Sequence, residues 1–247
     1  MKNILGLAAI AAFTTFGMTA TAATFTIDGG TAGFIPTENG RQATTPENNV
    51  LEALEIGDAV TVGTGADARD IRTLGGFYNA DILIDEASPI LIEVMGAEAS
   101  FHNRFEIGDY SYQHTGGLNT ASLDDDGEIV PLEIATVTLA PGDGGLLDFI
   151  FQIVFSSGDE GAAIANGANP ANGTGANFFA SFGDDEQTIG STGLWLFFDD
   201  AGQKFDNHDD LVVRLSIVPL PAGMLLLLTG MGGLGAVGAR RRRKAAA

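Results

Sequence analysis

Cysteine is absent from the 247-residue chain. No disulfide can staple it, and a thiol nucleophile or thiolate metal site is excluded. Basic residues are scarce: 12 Lys and Arg stand against 32 Asp and Glu, a formal net charge of −20. Six of the basic residues, Lys2 and Arg240 to Lys244, lie at the extreme ends, and every acidic residue lies between them, so residues 24–217 carry −26. A surface this acidic repels nucleic acid and anionic lipid, draws divalent cations and basic partners, and keeps the domain soluble. Histidine occurs only as His102, His114 and His208, and no H-E-x-x-H, G-x-S-x-G or P-loop motif is present. No catalytic residue is assigned on these grounds. Carboxylates are too abundant for any one pair to mark a glycosidase. A polysaccharide-acting hydrolase, the alternative reading, requires one pair about 5–10 Å apart in a cleft. No long segment keeps a 3.6-residue apolar period, so helix is expected only as a short piece over residues 49–56.

The two ends are the most explicit parts of the chain. Met1-Lys2-Asn3 precedes an apolar run from Ile4 to Met18, which ends in the small residues Thr19-Ala20-Thr21-Ala22-Ala23. That order is a secretory signal peptide over residues 1–23, with Ala20 and Ala22 suited to the cleavage site. At the other end Val218-Pro219-Leu220-Pro221-Ala222-Gly223 is followed by an uncharged stretch to Ala239 and then by Arg240, Arg241, Arg242, Arg243 and Lys244. Counted from Leu220, the stretch is about 20 residues, enough for a helix to cross a hydrocarbon core of roughly 30 Å. The basic cluster predicts a cytoplasmic tail and an outward-facing domain, the orientation the signal peptide also requires. Gly230-Met231-Gly232-Gly233-Leu234-Gly235 matches G-x-G-x-x-G but lies within this apolar stretch, where helix packing rather than dinucleotide binding is expected.

Motif, apolar helix and Arg cluster in this order resemble the PEP-CTERM class of sorting signals, in its VPLPA variant, over residues 218–247. The resemblance implies processing by an exosortase, an intramembrane transpeptidase-like enzyme that cleaves near the motif, and an origin among bacteria that make exopolysaccharide. Val218, Pro219, Leu220, Pro221, Ala222 and Gly223 are then the sorting motif. Its two prolines stop regular structure outside the membrane and leave an extended segment for the enzyme.

Residues 24–217 read as one acidic all-β domain of sandwich or jelly-roll type. Short apolar runs separated by turn residues recur throughout, among them Asp81–Asp85, Pro89–Val94, Ile134–Leu139, Leu146–Phe155, Trp195–Phe198 and Leu211–Ile217. Leu146–Phe155, the most apolar run, is expected to be a central strand. Asp28-Gly29-Gly30 reads as a turn, Asp124-Asp125-Asp126-Gly127 as another, and Gly161 to Asn177 as a long flexible loop. Gly96-Ala97-Glu98-Ala99-Ser100-Phe101-His102-Asn103-Arg104-Phe105 is similar to a G-x-E-A-x-x-x-N-x-F pattern of exported PEP-CTERM-type β-domains. The close of the domain, Phe198-Asp199-Asp200 and then Asp206-Asn207-His208-Asp209-Asp210-Leu211, is similar to the acidic ending of the same proteins.

The candidate metal site is Asp199, Asp200, Asp206, Asn207, Asp209 and Asp210, two acidic clusters flanking a short loop between apolar strands. Calcium takes six to eight oxygen ligands, which Asp and Asn on adjacent loops supply, and like charges so crowded repel unless a cation sits among them. The spacing is not that of an EF-hand. His102 is expected as a strand residue. His114 lies beside Tyr110 and Tyr112, which offer either a sugar-binding face or strand packing. The chain therefore reads as an exported surface or extracellular-matrix protein. Its role is non-enzymatic, structural or carbohydrate-binding, and its partners are a processing exosortase, the membrane and exopolysaccharide, with no nucleic acid.

Overall fold

The computed structural model describes residues 23–35, 49–62, 69–171, 174–183, 189–200 and 208–219. In chain order the elements are β1 (Phe25–Ile35), α1 (Asn49–Ala53), β2 (Asp58–Val62), β3 (Arg69–Ile84), β4 (Ser88–Ala99), β5 (Arg104–Ile107), β6 (Tyr110–Gln113), β7 (Gly117–Thr120), β8 (Ser122–Leu123), β9 (Ile129–Val130), β10 (Glu133–Leu139), β11 (Phe149–Val154), β12 (Glu160–Ala165), β13 (Asn177–Ser181), β14 (Ile189–Ser191), β15 (Gly193–Asp199) and β16 (Leu211–Ile217). The domain is all-β. A large sheet runs β10-β4-β16-β15-β13-β3-β1-β14, with β2 added to β3 and β7 to β4. A second sheet runs β12-β11-β5-β6, and β8 pairs with β9. These ladders are antiparallel.

Two apolar clusters explain why the central strands are apolar on both faces. The larger is shared by the two sheets, with Ile92, Leu196, Phe198, Val213 and Leu215 from the large sheet meeting Phe105, Phe149 and Phe151 from the smaller one. Phe151 stacks on Phe198 with ring centroids 4.8 Å apart. The other face of the large sheet carries Leu74, Met95, Phe179, Trp195, Phe197 and Val212, covered by Val50, Leu51 and Leu54 in and just after α1. Alternate residues of β15 and β16 thus enter different cores, which is why Leu194–Phe198 and Leu211–Val213 read as unbroken apolar runs. Phe151 and its neighbours in β11 lie at an interior position of the small sheet, as expected of Leu146–Phe155.

The pair β1–β3 changes face midway. Phe25, Ile27, Ala80, Ile82 and Ile84 enter the first cluster, whereas Ile35, Leu74 and Tyr78 enter the second. Gly29, Gly30 and Asn79, opposed at the crossover, have φ of +67°, +82° and +56°. Left-handed residues inside a strand re-aim the side chains that follow, as a β-bulge does. Asp28-Gly29-Gly30 is therefore not a turn: it is the switch point of an eleven-residue strand.

Gly161 to Asn177 is also corrected. Gly161 to Ala165 lies in β12, paired with β11. Beyond it, two asparagines serve as backbone surrogates. Asn166 accepts from Ile82 N at 2.9 Å and donates to the Ile82 and Leu147 carbonyls, both at 2.7 Å. Asn169 exchanges two hydrogen bonds with the backbone of Phe178, at 2.8 and 2.9 Å. Asp124 Oδ1 accepts from Asp126 N and Glu128 N, so Asp124–Gly127 is the expected turn. His102 lies between β4 and β5, not within a strand. Among the described residues no helix is long and apolar enough to cross a membrane. The expected signal peptide up to Ala22 and the stretch from Leu220 to Lys244 lie outside the described residues.

Candidate functional site

The acidic residues gather where β15 ends, β16 begins and the β4–β5 connection crosses them. Asp199 closes β15, Asp209 and Asp210 immediately precede β16, and Asp199, His208 and Asp209 are buried. Burial of carboxylates is costly unless hydrogen bonds replace water. Hydrogen bonds from segments distant in sequence tie this pole together. Asn103 Nδ2 donates to Asp200 Oδ2 at 2.7 Å and to the Asp210 carbonyl at 3.4 Å. Asp200 N donates to Asp210 Oδ2 at 2.7 Å. Glu98 N donates to the Asp209 carbonyl at 2.7 Å. The two motifs, residues 96–105 and the acidic close, therefore form a single latch.

Deeper in the same pole, Asn177 Nδ2 donates to Asp199 Oδ2 at 3.4 Å, and Asn177 Oδ1 lies 3.0 Å from His208 Nε2. His208 Nε2 lies 4.0 Å from Asp199 Oδ2, and the His208 ring meets the Tyr78 ring edge-on at 5.3 Å between centroids. His208 has φ +57°, which turns the chain sharply into β16. Burial, and next the charge of Asp199, push the Tyr78 phenol well above its ordinary range. Tyr78 thus remains protonated and donates to the Phe34 carbonyl.

The structure brings Asp199, Asp200, Asp209 and Asp210 together; Asp206 and Asn207 lie outside the described residues. Among the described residues, no group of three or more His, Asp or Glu is placed to hold a metal ion. Asn103, Asn177 and Tyr78 complete the cluster without having been selected as site residues from sequence. Only Asn103 carried a signal, as the Asn of the 96–105 pattern. Asn103 Oδ1 is buried and, among the described residues, receives no hydrogen bond.

Tyr110 and Tyr112 face inward against the larger core, opposite Ile107 and Phe105. Tyr110 donates to Glu133 at 2.9 Å. His114 is buried, with Nε2 2.9 Å from the Gly117 carbonyl. The outer face of the small sheet presents Arg104 beside Gln113 and Gln152, and Glu106 beside Ser111 and Ile150. Among the described residues this face has no aromatic platform. Strand packing, rather than a sugar-binding face, accounts for Tyr110, Tyr112 and His114.

Comparison with known proteins yields no matching family model, no matching curated protein and no matching solved structure.

Proposed function

We propose that this is an exported cell-surface or extracellular-matrix protein, sorted by an exosortase through residues 218–247, with a non-enzymatic structural or carbohydrate-binding role. The observation that carries the reading is the ordered tail: Val218–Gly223, an apolar stretch, and Arg240–Lys244. The fold boundaries support it. Among the described residues the first strand starts at Phe25, just after the small-residue cleavage site, and the last ends at Ile217, just before the motif. The shared core of the two sheets supports a sandwich-like ectodomain.

A structural role is the better supported of the two. Asp200 and Asp210 are engaged with Asn103 and with backbone amides, and the tyrosines face the core. A polysaccharide hydrolase would instead need two carboxylates free to meet a sugar. A calcium ion at the acidic pole belongs to the same reading, with its oxygen ligands drawn from Asp199, Asp200, Asp206, Asn207, Asp209 and Asp210. Fractionation of the full chain in hosts with and without an exosortase tests the sorting. The protein is expected in the membrane fraction without the enzyme and in the surface or medium fraction with it. The same fraction in both hosts contradicts the proposal.

A further inference from the structure

Thr24 and Val218, near the two ends of the described domain, converge on one corner, Asp85 to Pro89, where β3 passes into β4. At the N-terminal side, Thr24 N donates to Asp85 Oδ1 at 2.7 Å and Thr24 Oγ1 to Asp85 Oδ2 at 2.8 Å. At the C-terminal side, Val218 N donates to the Pro89 carbonyl at 2.9 Å. Asp85 and Pro89 are four residues apart, so the two exits lie within about 14 Å of each other along the chain. The acidic latch lies at the opposite end of the same strands. β16 runs from Leu211, next to Asp210 of the latch, to Ile217 at the exit, and β4 runs from Ser88 at the exit to Ala99 beside β5. At about 3.3 Å per residue, the stretch of β4 from Pro89, bonded to Val218, to Glu98, bonded to Asp209, separates the two poles by roughly 30 Å.

We infer that the domain stands on the lipid surface by the β3–β4 connection and presents the Asn103–Asp200–Asp210 latch at its far pole. This rests on the reading of residues 220–239 as a membrane segment. Between Val218, still bonded to the sheet, and Leu220, where the apolar stretch begins, only Pro219 intervenes. Two residues of chain reach at most about 7 Å, so the near pole is held against the headgroups and has little freedom to tip. The near pole is not itself a lipid-binding patch. Among the described residues of the connections there, Asp85, Glu86 and Asp143 are acidic and repel anionic headgroups, so the tether sets the orientation. The processing enzyme must then reach Pro219–Gly223 in the narrow space beneath the sheet, while matrix partners meet the far pole.

The absence of cysteine makes the test direct, since an introduced thiol is the single labelling site. The full chain, made in a host lacking an exosortase, is reconstituted into liposomes carrying an energy-transfer acceptor on the headgroup. Donor dye is placed at Glu86→Cys or, independently, at Ala140→Cys beside the near pole, and at Ser100→Cys or Leu118→Cys beside the far pole; Leu139 pairs with Ser88, and Leu118 with Glu98. A pole separation of roughly 30 Å predicts transfer at least about twofold stronger from the near pair. Equal or reversed transfer, with the protein floating with the liposomes, overturns the orientation and leaves anchoring intact. Failure of all four variants and the unlabelled chain to float overturns the anchoring reading and the orientation with it.

Discussion

Asn103 Nδ2 lies 2.7 Å from Asp200 Oδ2, across 97 positions of sequence. The bond ties the β4–β5 connection to the end of β15, and through the Asp210 carbonyl to the start of β16. Asn103 is fully buried, so nothing replaces this amide if it is removed. Asn103→Ala is expected to cost about 1–3 kcal/mol in chemical denaturation, the range for leaving buried polar partners unmet. A double-mutant cycle with Asp200→Ala should show coupling between the two positions. Additive losses would mean that the latch is not an energetic unit.

The acidic pole should respond to calcium. Binding to the folded state at one hundred times the dissociation constant adds about 2.7 kcal/mol, which raises the unfolding midpoint by several degrees. Thermal unfolding of the ectodomain in calcium and in EDTA is the measurement. Superimposable curves remove the cation from the account.

The face switch of β1 and β3 separates two adjacent glycines. A Cβ on Gly30 would stand 2.7 Å from the Tyr78 carbonyl oxygen, whereas one on Gly29 would meet nothing within 4 Å. Both have positive φ, which costs an L-residue roughly 1–2 kcal/mol. Gly29→Ala should lose about that much, and Gly30→Ala distinctly more, because backbone must move as well. Equal losses in denaturant titrations would show that the crossover tolerates a side chain.

His114 should make stability pH-dependent. Burial holds its imidazole below the ordinary 6.5, aided by His102 and opposed by the Gly117 carbonyl bond. Below that value the unfolded chain binds a proton that the folded chain resists, so this contribution is complete above 6.5 and is lost as pH falls beneath it. His114→Gln should flatten the rise in stability between mildly acidic and neutral pH. An unchanged slope would place the titration elsewhere.

Much of the fold was legible because its physics is local. β15 and β16 announce themselves as apolar runs, and Asp124-Gly127 as a turn, through side chains close in sequence. Gly29-Gly30 misled because a glycine pair serves a turn and an in-strand crossover equally well, and only the partner Asn79 decides between them. β12 was hidden because Gly161-Ala162-Ala163 offers little apolar signal; pairing with β11 makes it a strand. The acidic half of the site was visible as a cluster of Asp. Asn103 and Asn177 were not visible as its partners, since their roles arise from segments that only the folded sheets bring together.

The central claim, export followed by C-terminal sorting, is tested most directly by the intact mass of the protein recovered from cell envelope and medium. The account predicts a mature chain lacking the residues before about Thr24 and those beyond the Pro219–Gly223 region. A recovered mass that retains Met224 to Ala247 would contradict it and make the tail an ordinary membrane anchor.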